Sequence, residues 1–318
     1  LYKIERYKPK QKALWDQLLR ESNAGNLIIH RDFLEYHSDR FEDFSIMVFA
    51  DQKLIGIMPA NIVGDTWYSH QGLTFGGLYT LPKYDNLNAL LKIFECLNSF
   101  LRSNNIKKTV IKPAPDFYCA KNNNPLNYIL RNHFGTFIDV NIIANSTILP
   151  KNGINLSTLR KRKYKQGKKN YCVIKDTFEI EAFYHNLKIN LNTRHGVDPV
   201  HTLSELLQLK NKFPDDIELR WIEGNDDAID AGLLLFKNST NVHAQYITSS
   251  PQGRQKGALD YLIVSYLNEL LEVAPNKFFD FGSSCTEMGT KINEDLFFFK
   301  NGFGCFTSLQ FCFTSLLE

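Results

Sequence analysis

The sequence predicts an α/β protein of two tandem domains of one kind, each a mixed twisted sheet flanked by helices. Three observations carry this. The length, 318 residues, is about twice that of a common domain. One order of elements, strands followed by a helix and a further strand, occurs twice along the chain. Aromatic residues make up 13%, with 24 Phe and 14 Tyr, which suits sheet cores better than a helical bundle. The 43% hydrophobic and 22% charged fractions exclude collagen, coiled coil and wholesale disorder.

In the first half, Phe44–Ala50 is an apolar run of strand formers and Asp51-Gln52-Lys53 a turn. Leu54–Val63 reads as a second strand and Thr66–Leu73 as a third. Leu87, Leu90, Leu91, Phe94, Leu97 and Leu101 recur at helical spacing, so Asp85–Ser103 is an amphipathic helix with Asp85 as its N-cap. Lys107–Lys112 is a buried strand ended by Pro113 and Pro115. The second half repeats the order. Strands are expected at Ile217–Ile222, Ala228–Phe236 and Asn241–Thr248, with a turn at Glu223–Asp227. A loop from Ser249 to Gln255 leads into a helix bearing Leu259, Leu262, Ile263, Tyr266, Leu267, Leu270 and Leu271. Pro275 stops that helix, and Lys277–Gly282 is the next strand. Between the halves, Thr136–Leu149 is strand-like and Pro150-Lys151-Asn152-Gly153 is a turn cluster. The domains are therefore expected at 1–150 and 151–318. The apolar tail Cys305–Phe313 suits a strand that returns to either sheet.

The six cysteines form no CxxC pair and read as reduced core thiols of a cytoplasmic protein. No apolar run approaches the roughly 18 residues of a membrane span. Leu1–Lys12 is basic and lacks the apolar stretch of a signal peptide.

The net charge of +3 conceals one concentration. Seven of the ten residues Arg160–Lys169 are basic and none is acidic; subtracting that +7 from +3 leaves −4 for the rest. Leu156, Leu159 and Lys163 share a helical face and Ser157 is a candidate N-cap, so the run is a helix with a basic side. Such a side is either a solvated surface or a site for polyphosphate or nucleic-acid backbone, with Arg160, Lys161, Arg162 and Lys163 as the anion-binding set. A second feature, Ser249-Ser250-Pro251-Gln252-Gly253-Arg254-Gln255-Lys256-Gly257-Ala258, joins a strand to a helix. Backbone N–H groups and a helix dipole face an anion at such a junction. It is neither a P-loop nor GxGxxG.

Strand, loop, Arg254-x-x-Gly257-x, then an amphipathic helix resembles the pyrophosphate-binding motif of the GNAT acyltransferases, (Arg/Gln)-x-x-Gly-x-(Gly/Ala). Leu259 stands where the last small residue belongs, and Ala258 lies one place early. Two such domains in tandem resemble the Fem-type branch, the peptidoglycan-bridge aminoacyltransferases and their relatives. Ser69-His70-Gln71-Gly72-Leu73-Thr74-Phe75-Gly76-Gly77-Leu78 looks like the glycine stretch of that branch's first half, and Ser157–Lys169 like the basic segment opening its second. The resemblance spans about residues 40–304. It implies an acyl group, acetyl foremost, moved from acyl-CoA (acetyl-CoA) to an amine of a cell-envelope glycan or peptide precursor. Ser249, Arg254, Gln255, Lys256, Gly257 and Ala258 would hold the cofactor, with the backbone of residues 254–257 on its pyrophosphate. The absence of a long charged hairpin favours CoA over aminoacyl-tRNA, while the basic helix keeps tRNA as an alternative partner. A non-catalytic polyanion-binding module is a third reading, supported by Leu259.

Amine attack on a thioester needs a positioned neutral amine, a polarised carbonyl and a proton acceptor. His70, His243, Asp260, Asp280 and Glu287 are candidate bases; His70 in its glycine-rich loop and His243 in a strand lead them. Tyr246, expected on the same side of the strand as His243, could protonate the leaving group. Thr193–Thr202, with His195, Asp198 and His201, is a polar loop between two helices that suits acceptor binding. Its spacing does not suggest a metal, and none is expected. The block Phe297-Phe298-Phe299 with Phe303 and Phe306 reads as packing, and Asn293-Glu294 as a helix cap.

Overall fold

The structure is a computed structural model that describes residues 2–37, 39–224 and 228–317. The expected turn at Glu223–Asp227 lies mostly outside the described residues. The chain forms two compact units: Leu1–Ala144 with Cys285–Lys291 and Ser308–Glu318, and Asn145–Ser284 with Ile292–Thr307.

The strands are β1 Tyr2–Arg6, β2 Glu42–Asp43, β3 Ile46–Ala50, β4 Lys53–Met58, β5 Asn61–Val63, β6 Thr66–Tyr68, β7 Tyr79–Thr80, β8 Lys108–Ile111, β9 Thr136–Ile148, β10 Ile217–Glu223, β11 Ile229–Lys237, β12 Asn241–Ser249, β13 Phe278–Ser283, β14 Cys285–Thr286, β15 Lys291–Ile292 and β16 Phe306–Leu316. The helices are α1 Lys12–Glu21, α2 Arg31–Leu34, α3 Leu87–Ser103, α4 Asn124–Asn132, α5 Thr158–Asn170, α6 Ile180–His195, α7 Leu203–Lys212, α8 Pro251–Lys256, α9 Ala258–Val273 and α10 Glu294–Asn301.

In the first unit β1, β3, β4 and β7 form one sheet, and β16, β8, β6, β5 and β2 lie side by side in another. The apolar face of α3 buries Leu90, Ile93, Phe94, Leu97 and Leu101 against Ile46, Val48, Ile55 and Trp67. Leu54–Val63 is two strands rather than one, because Pro59 cannot donate to a ladder and the chain changes sheet there. The strand expected over Thr66–Leu73 ends at Tyr68, and His70 turns the chain with φ +66°. Asn86, not Asp85, caps α3: its side chain accepts from Ala89 N–H, while Asp85 accepts from Asn23. The tail pairs antiparallel with β8, Phe313 opposite Ile111, so it returns to the first unit.

In the second unit the order is β10-β11-β12-β13-β9, antiparallel except for β12 with β13. Leu262, Ile263, Tyr266, Leu267 and Leu270 of α9 pack on Leu233, Leu235, Val242, Ala244 and Phe279. On the other face, a Cβ at Gly232 would approach the Phe183 ring to 2.7 Å, so glycine admits α6. Leu259 is half-buried against this core. Phe303 is buried and Phe299 packs beside it, but Phe298 is exposed.

Candidate active site

Parallel strands β12 and β13 pair over only three rungs, Asn241–Phe278, Val242–Phe279 and His243–Asp280, and then separate. β13 turns away at Gly282, whose φ of +69° suits glycine, and its register against β9 shifts between Asp280 and Ser283. β12 continues to Ser249 with no ladder partner on that side among the described residues. It carries a bulge: Ala244 faces Leu235 and Tyr246 faces Leu234, so Gln245 is the extra residue. Strict alternation would set His243 and Tyr246, three apart, on opposite faces. The bulge returns Tyr246 to the face of His243, so the expected arrangement holds for a reason the sequence did not display.

The matching place in the first unit is closed. β6 and β8 pair in parallel from Thr66–Lys108 to Tyr68–Val110, and the contact continues through Ser69 N–H to Val110 O and Gly76 N–H to Lys112 O. A Cβ at Gly76 would lie 2.2 Å from Ser69 O, so glycine lets the loop fill the gap. Among the described residues, an open splay lies in the second unit.

At the closed end of that splay, His243 Nδ1 lies 2.8 Å from Asp280 Oδ2. Asp280 is buried, and its Oδ1 accepts from Gly282 N–H at 2.7 Å. A carboxylate held this way orients the imidazole with Nδ1–H inward and leaves Nε2 as a proton acceptor. Gly282 also leaves room for the ring: a Cβ there would sit 3.3 Å from His243 Cε1. Tyr246 Oη accepts from His201 N–H at 3.1 Å and lies 2.7 Å from His201 Nδ1. The tautomer of His201 sets which of the two donates in that second bond. Burial raises the Tyr246 pKa, against the lowering effect of the backbone donors. The loop expected to bind the acceptor is thus pinned to β12 through His201.

The strand-to-helix junction differs from the expected loop. Ser250 caps α8 by accepting from Gly253 N–H, and Pro251 fits the first helical position. Arg254 N–H is spent on Ser250 O and Gly257 N–H on Gly253 O. Gln255 and Lys256 lie inside α8, whose own ladder uses their N–H groups, so all four backbone donors expected to hold pyrophosphate are already used. The start of α9 is also covered. A Cβ on Gly257 would lie 2.4 Å from Lys163 O, and one on Gly167 would lie 2.3 Å from Gly257 O, so α5 meets the junction backbone to backbone. Lys163 Nζ reaches Arg254 O and Gln255 O, each at 3.2 Å, and Asn170 donates to Lys256 O. Buried Asp230 anchors the other side: its carboxylate takes Tyr171 Oη at 2.6 Å and Ser250 Oγ at 2.5 Å, and its carbonyl takes Ser249 Oγ. Ala258 is fully buried.

The basic helix divides by face. Arg160 is buried, donates to Asp260 Oδ1 at 3.0 Å and lies over the rings of Phe299 and Phe303. With Lys163 it points inward, so neither is free for an external anion as expected. Lys161, Arg162, Lys165, Lys168 and Lys169 are exposed.

No protein-family model matches the chain, and no curated protein matches it. Solved structures do. FemX, 12% identical, aligns over 97% of this chain and 96% of its own with a TM-score of 0.64. L-PGS from Bacillus licheniformis, also 12% identical, aligns over 97% and 92% with a TM-score of 0.59. A tandem GNAT protein from the clavulanic acid biosynthesis pathway, 10% identical, aligns over 100% and 99% with a TM-score of 0.51. The fold is the tandem GNAT fold in its Fem-type form. At such identities the likeness establishes the fold.

The remaining expected residues spread over both GNAT units. His70 is in the first, buried beside Phe41, with ring centroids 5.1 Å apart. Glu287 is exposed and bound to Lys291 at 2.6 Å. Asp198 accepts from Asn192 at 2.8 Å on the exposed loop, and the side chain of His195 lies outside the described residues. In the second GNAT unit, Arg254 Nη1 donates to Ser249 O and Asn190 Oδ1. Burial, then the neighbouring Arg194 guanidinium, lowers the Arg254 pKa. Neither guanidinium has a carboxylate partner among the described residues, so this corner is open to an anion.

Three residues escaped the sequence reading: Asp230, Arg194 and Lys300. Lys300 is buried, and its Nζ reaches Gly282 O at 3.0 Å and Ser283 O at 2.7 Å, tying α10 to β13 where the splay opens. A lone lysine in Phe297–Phe303 was the available signal. Asp16, His30 and Asp32 could together reach one ion, but Lys12 pairs with both carboxylates, at 3.5 and 2.7 Å, which accounts for the cluster. Among the described residues no helix is long and apolar enough to cross a membrane.

Proposed function

We propose that this chain is an acyltransferase that moves an activated acyl or aminoacyl group onto an amine, with its reaction centre in the β12–β13 splay. The observation that carries this reading is the open splay with the His243–Asp280 pair at its closed end. N–H groups of β12 beyond His243 that have no ladder partner among the described residues would polarise a donor carbonyl laid against the strand, and they need no reorganisation to do so. The amine attacks, and a new N–C bond forms. His243 Nε2 takes the amine proton, while Asp280 holds the tautomer and stabilises the imidazolium. The bond from the carbonyl to its carrier breaks, Tyr246 gives the leaving atom a proton, and solvent restores both side chains.

The donor we favour is an aminoacyl ester on tRNA. Support comes from the junction at Gly257, where spent donors and the overlying α5 leave little room for a CoA pyrophosphate. The Fem-type fold and the exposed cations of α5 agree with it. Acyl-CoA, acetyl-CoA included, is the second reading. The Arg254-x-x-Gly257 spacing favours it, as does the likeness to a tandem GNAT protein solved without AcCoA. The acceptor is the amine of a cell-envelope glycan or peptide precursor, and the Arg194–Arg254 corner would suit an anionic group on it. The cytoplasm, where aminoacyl-tRNA is made, is the proposed compartment.

The test offers the purified chain labelled aminoacyl-tRNA and labelled acetyl-CoA in parallel, with amine-bearing envelope precursors. Transfer from tRNA that His243→Ala abolishes is the expected result. Transfer from acetyl-CoA alone overturns the donor assignment, and transfer that survives His243→Ala overturns the centre.

A further inference from the structure

We infer that the outward face of α5 docks the phosphate backbone of RNA. This inference rests on the tRNA-donor reading above and locates its contact surface. Seven basic residues in one short helix could all be solvated decoration, but they are not equivalent. Arg160 and Lys163 have interior partners. Lys161, Arg162, Lys165, Lys168 and Lys169 are exposed, and none has an acidic partner among the described residues. At 3.6 residues per turn these five fall within an arc of about 120°. From Lys161 to Lys169 the stripe is about 12 Å long, enough to face more than one phosphate of a strand.

The arrangement works against the helix's own stability. Lys161, Lys165 and Lys169 follow one another at i, i+4 spacing, where like charges repel. Lys161 and Arg162 stand near the positive end of the helix dipole, and no acidic residue occupies the first turn. A bound polyanion would relieve all of these repulsions.

One observation favours RNA over an anionic membrane. A helix that lies on a bilayer presents apolar side chains to it. On α5 the apolar Leu159 and Tyr164 are half-buried, and no apolar side chain lies within the basic arc. The stripe also borders a shallow groove of ≈ 560 Å³ lined by Thr158, Lys161, Arg162, Lys165, Gln166 and Lys169. The space between these long side chains admits phosphate oxygens, and Thr158 and Gln166 add neutral donors.

The test measures binding of deacylated bulk tRNA, and separately of phosphatidylglycerol vesicles, to the full chain between about 50 and 200 mM salt. The variant changes Lys161, Arg162, Lys165, Lys168 and Lys169 together to Gln; these side chains are exposed, and its melting temperature is checked against wild type. The expected result is salt-sensitive tRNA binding that the variant loses by about 100-fold, with a salt slope flattened by roughly 0.9 per contact removed. Lys163→Gln is the control, expected to lower the melting temperature and leave the salt slope unchanged. Equal tRNA affinity in wild type and the five-site variant overturns the surface but leaves a tRNA donor standing. Vesicle binding without tRNA binding replaces RNA by membrane. Failure of the wild type to bind tRNA, with transfer from acyl-CoA intact, overturns both the donor reading and this one.

Discussion

His243 and Asp280 are joined across the last rung that β12 and β13 share, Nδ1 to Oδ2 at 2.8 Å, and beyond them the two strands separate. Because Gly282 N–H fixes the second carboxylate oxygen, Asp280 cannot rotate away without breaking two bonds. His243→Ala is expected to lower kcat by about 10²–10⁴, the range for a lost general base. Asp280→Asn keeps an acceptor for Gly282 but permits the wrong tautomer, so kcat should fall with the fold retained. Steady-state kinetics beside a thermal melt checks both; an unchanged kcat in His243→Ala would remove the residue from the mechanism.

The fold was legible because apolar periodicity is set by burial, and burial repeats. The helix from Ala258 and the strands around it follow it closely. Three features were hidden for physical reasons. The bulge at Gln245 depends on the pairing partner, which no local pattern encodes. Ser250-Pro251 is a helix-start signature, but α8 has only six residues, too few to show an apolar period. The inward turn of Arg160 and Lys163 requires Asp260 and the carbonyls of α8, a hundred and about ninety residues away, and a charge run alone cannot separate inner from outer positions.

The contact of α5 with the α8–α9 junction depends on two glycines. Gly167→Ala would drive its Cβ toward Gly257 O, and Gly257→Ala adds a side chain at φ +80° against Lys163 O. Each is expected to cost about 1–3 kcal/mol by overpacking, Gly257→Ala the more because its backbone disfavours a side chain. Both substitutions push the same helices apart, so the double variant should cost less than their sum. Denaturant melts of the four proteins measure this, and strict additivity would mean that the helices do not share the contact.

Arg160 and Asp260 form an ion pair largely out of water, and burial raises the Asp260 pKa more than the Arg160 guanidinium lowers it. Taking two charges out of water costs free energy that their mutual attraction only partly returns. Asp260→Ala leaves a buried guanidinium unmatched and is expected to cost about 3–5 kcal/mol, whereas the double change Arg160→Met with Asp260→Leu should be near neutral. Equilibrium unfolding distinguishes these outcomes. Equal losses in the single and double variants would show that the pair stabilises the fold outright.

Tyr246 is held by both the backbone and the ring of His201, so its hydroxyl serves either to pin the loop or to donate a proton. Tyr246→Phe removes both bonds but keeps the ring; His201→Ala removes only the ring bond. If the hydroxyl donates to the leaving group, Tyr246→Phe lowers kcat with a carrier of high pKa and is rescued by a better leaving group, while His201→Ala changes mainly KM. If it only pins the loop, both variants raise KM and neither responds to the leaving group.

His30 offers a pH test independent of the reaction. Burial lowers its pKa from the ordinary 6.5, against the pull of Asp16 and Asp32 and with help from Lys12 and Arg20. Its Nδ1 accepts from Asp32 N–H at 3.3 Å, which the neutral ring does and the protonated ring cannot. In the window below 6.5 the unfolded chain binds a proton that the folded one refuses. Stability therefore falls as pH is lowered through that window and recovers above it. Urea unfolding at about pH 7 and about pH 5.5 should show the loss in wild type, and less of it in His30→Gln. Equal losses in the two proteins would assign the acid sensitivity to other groups.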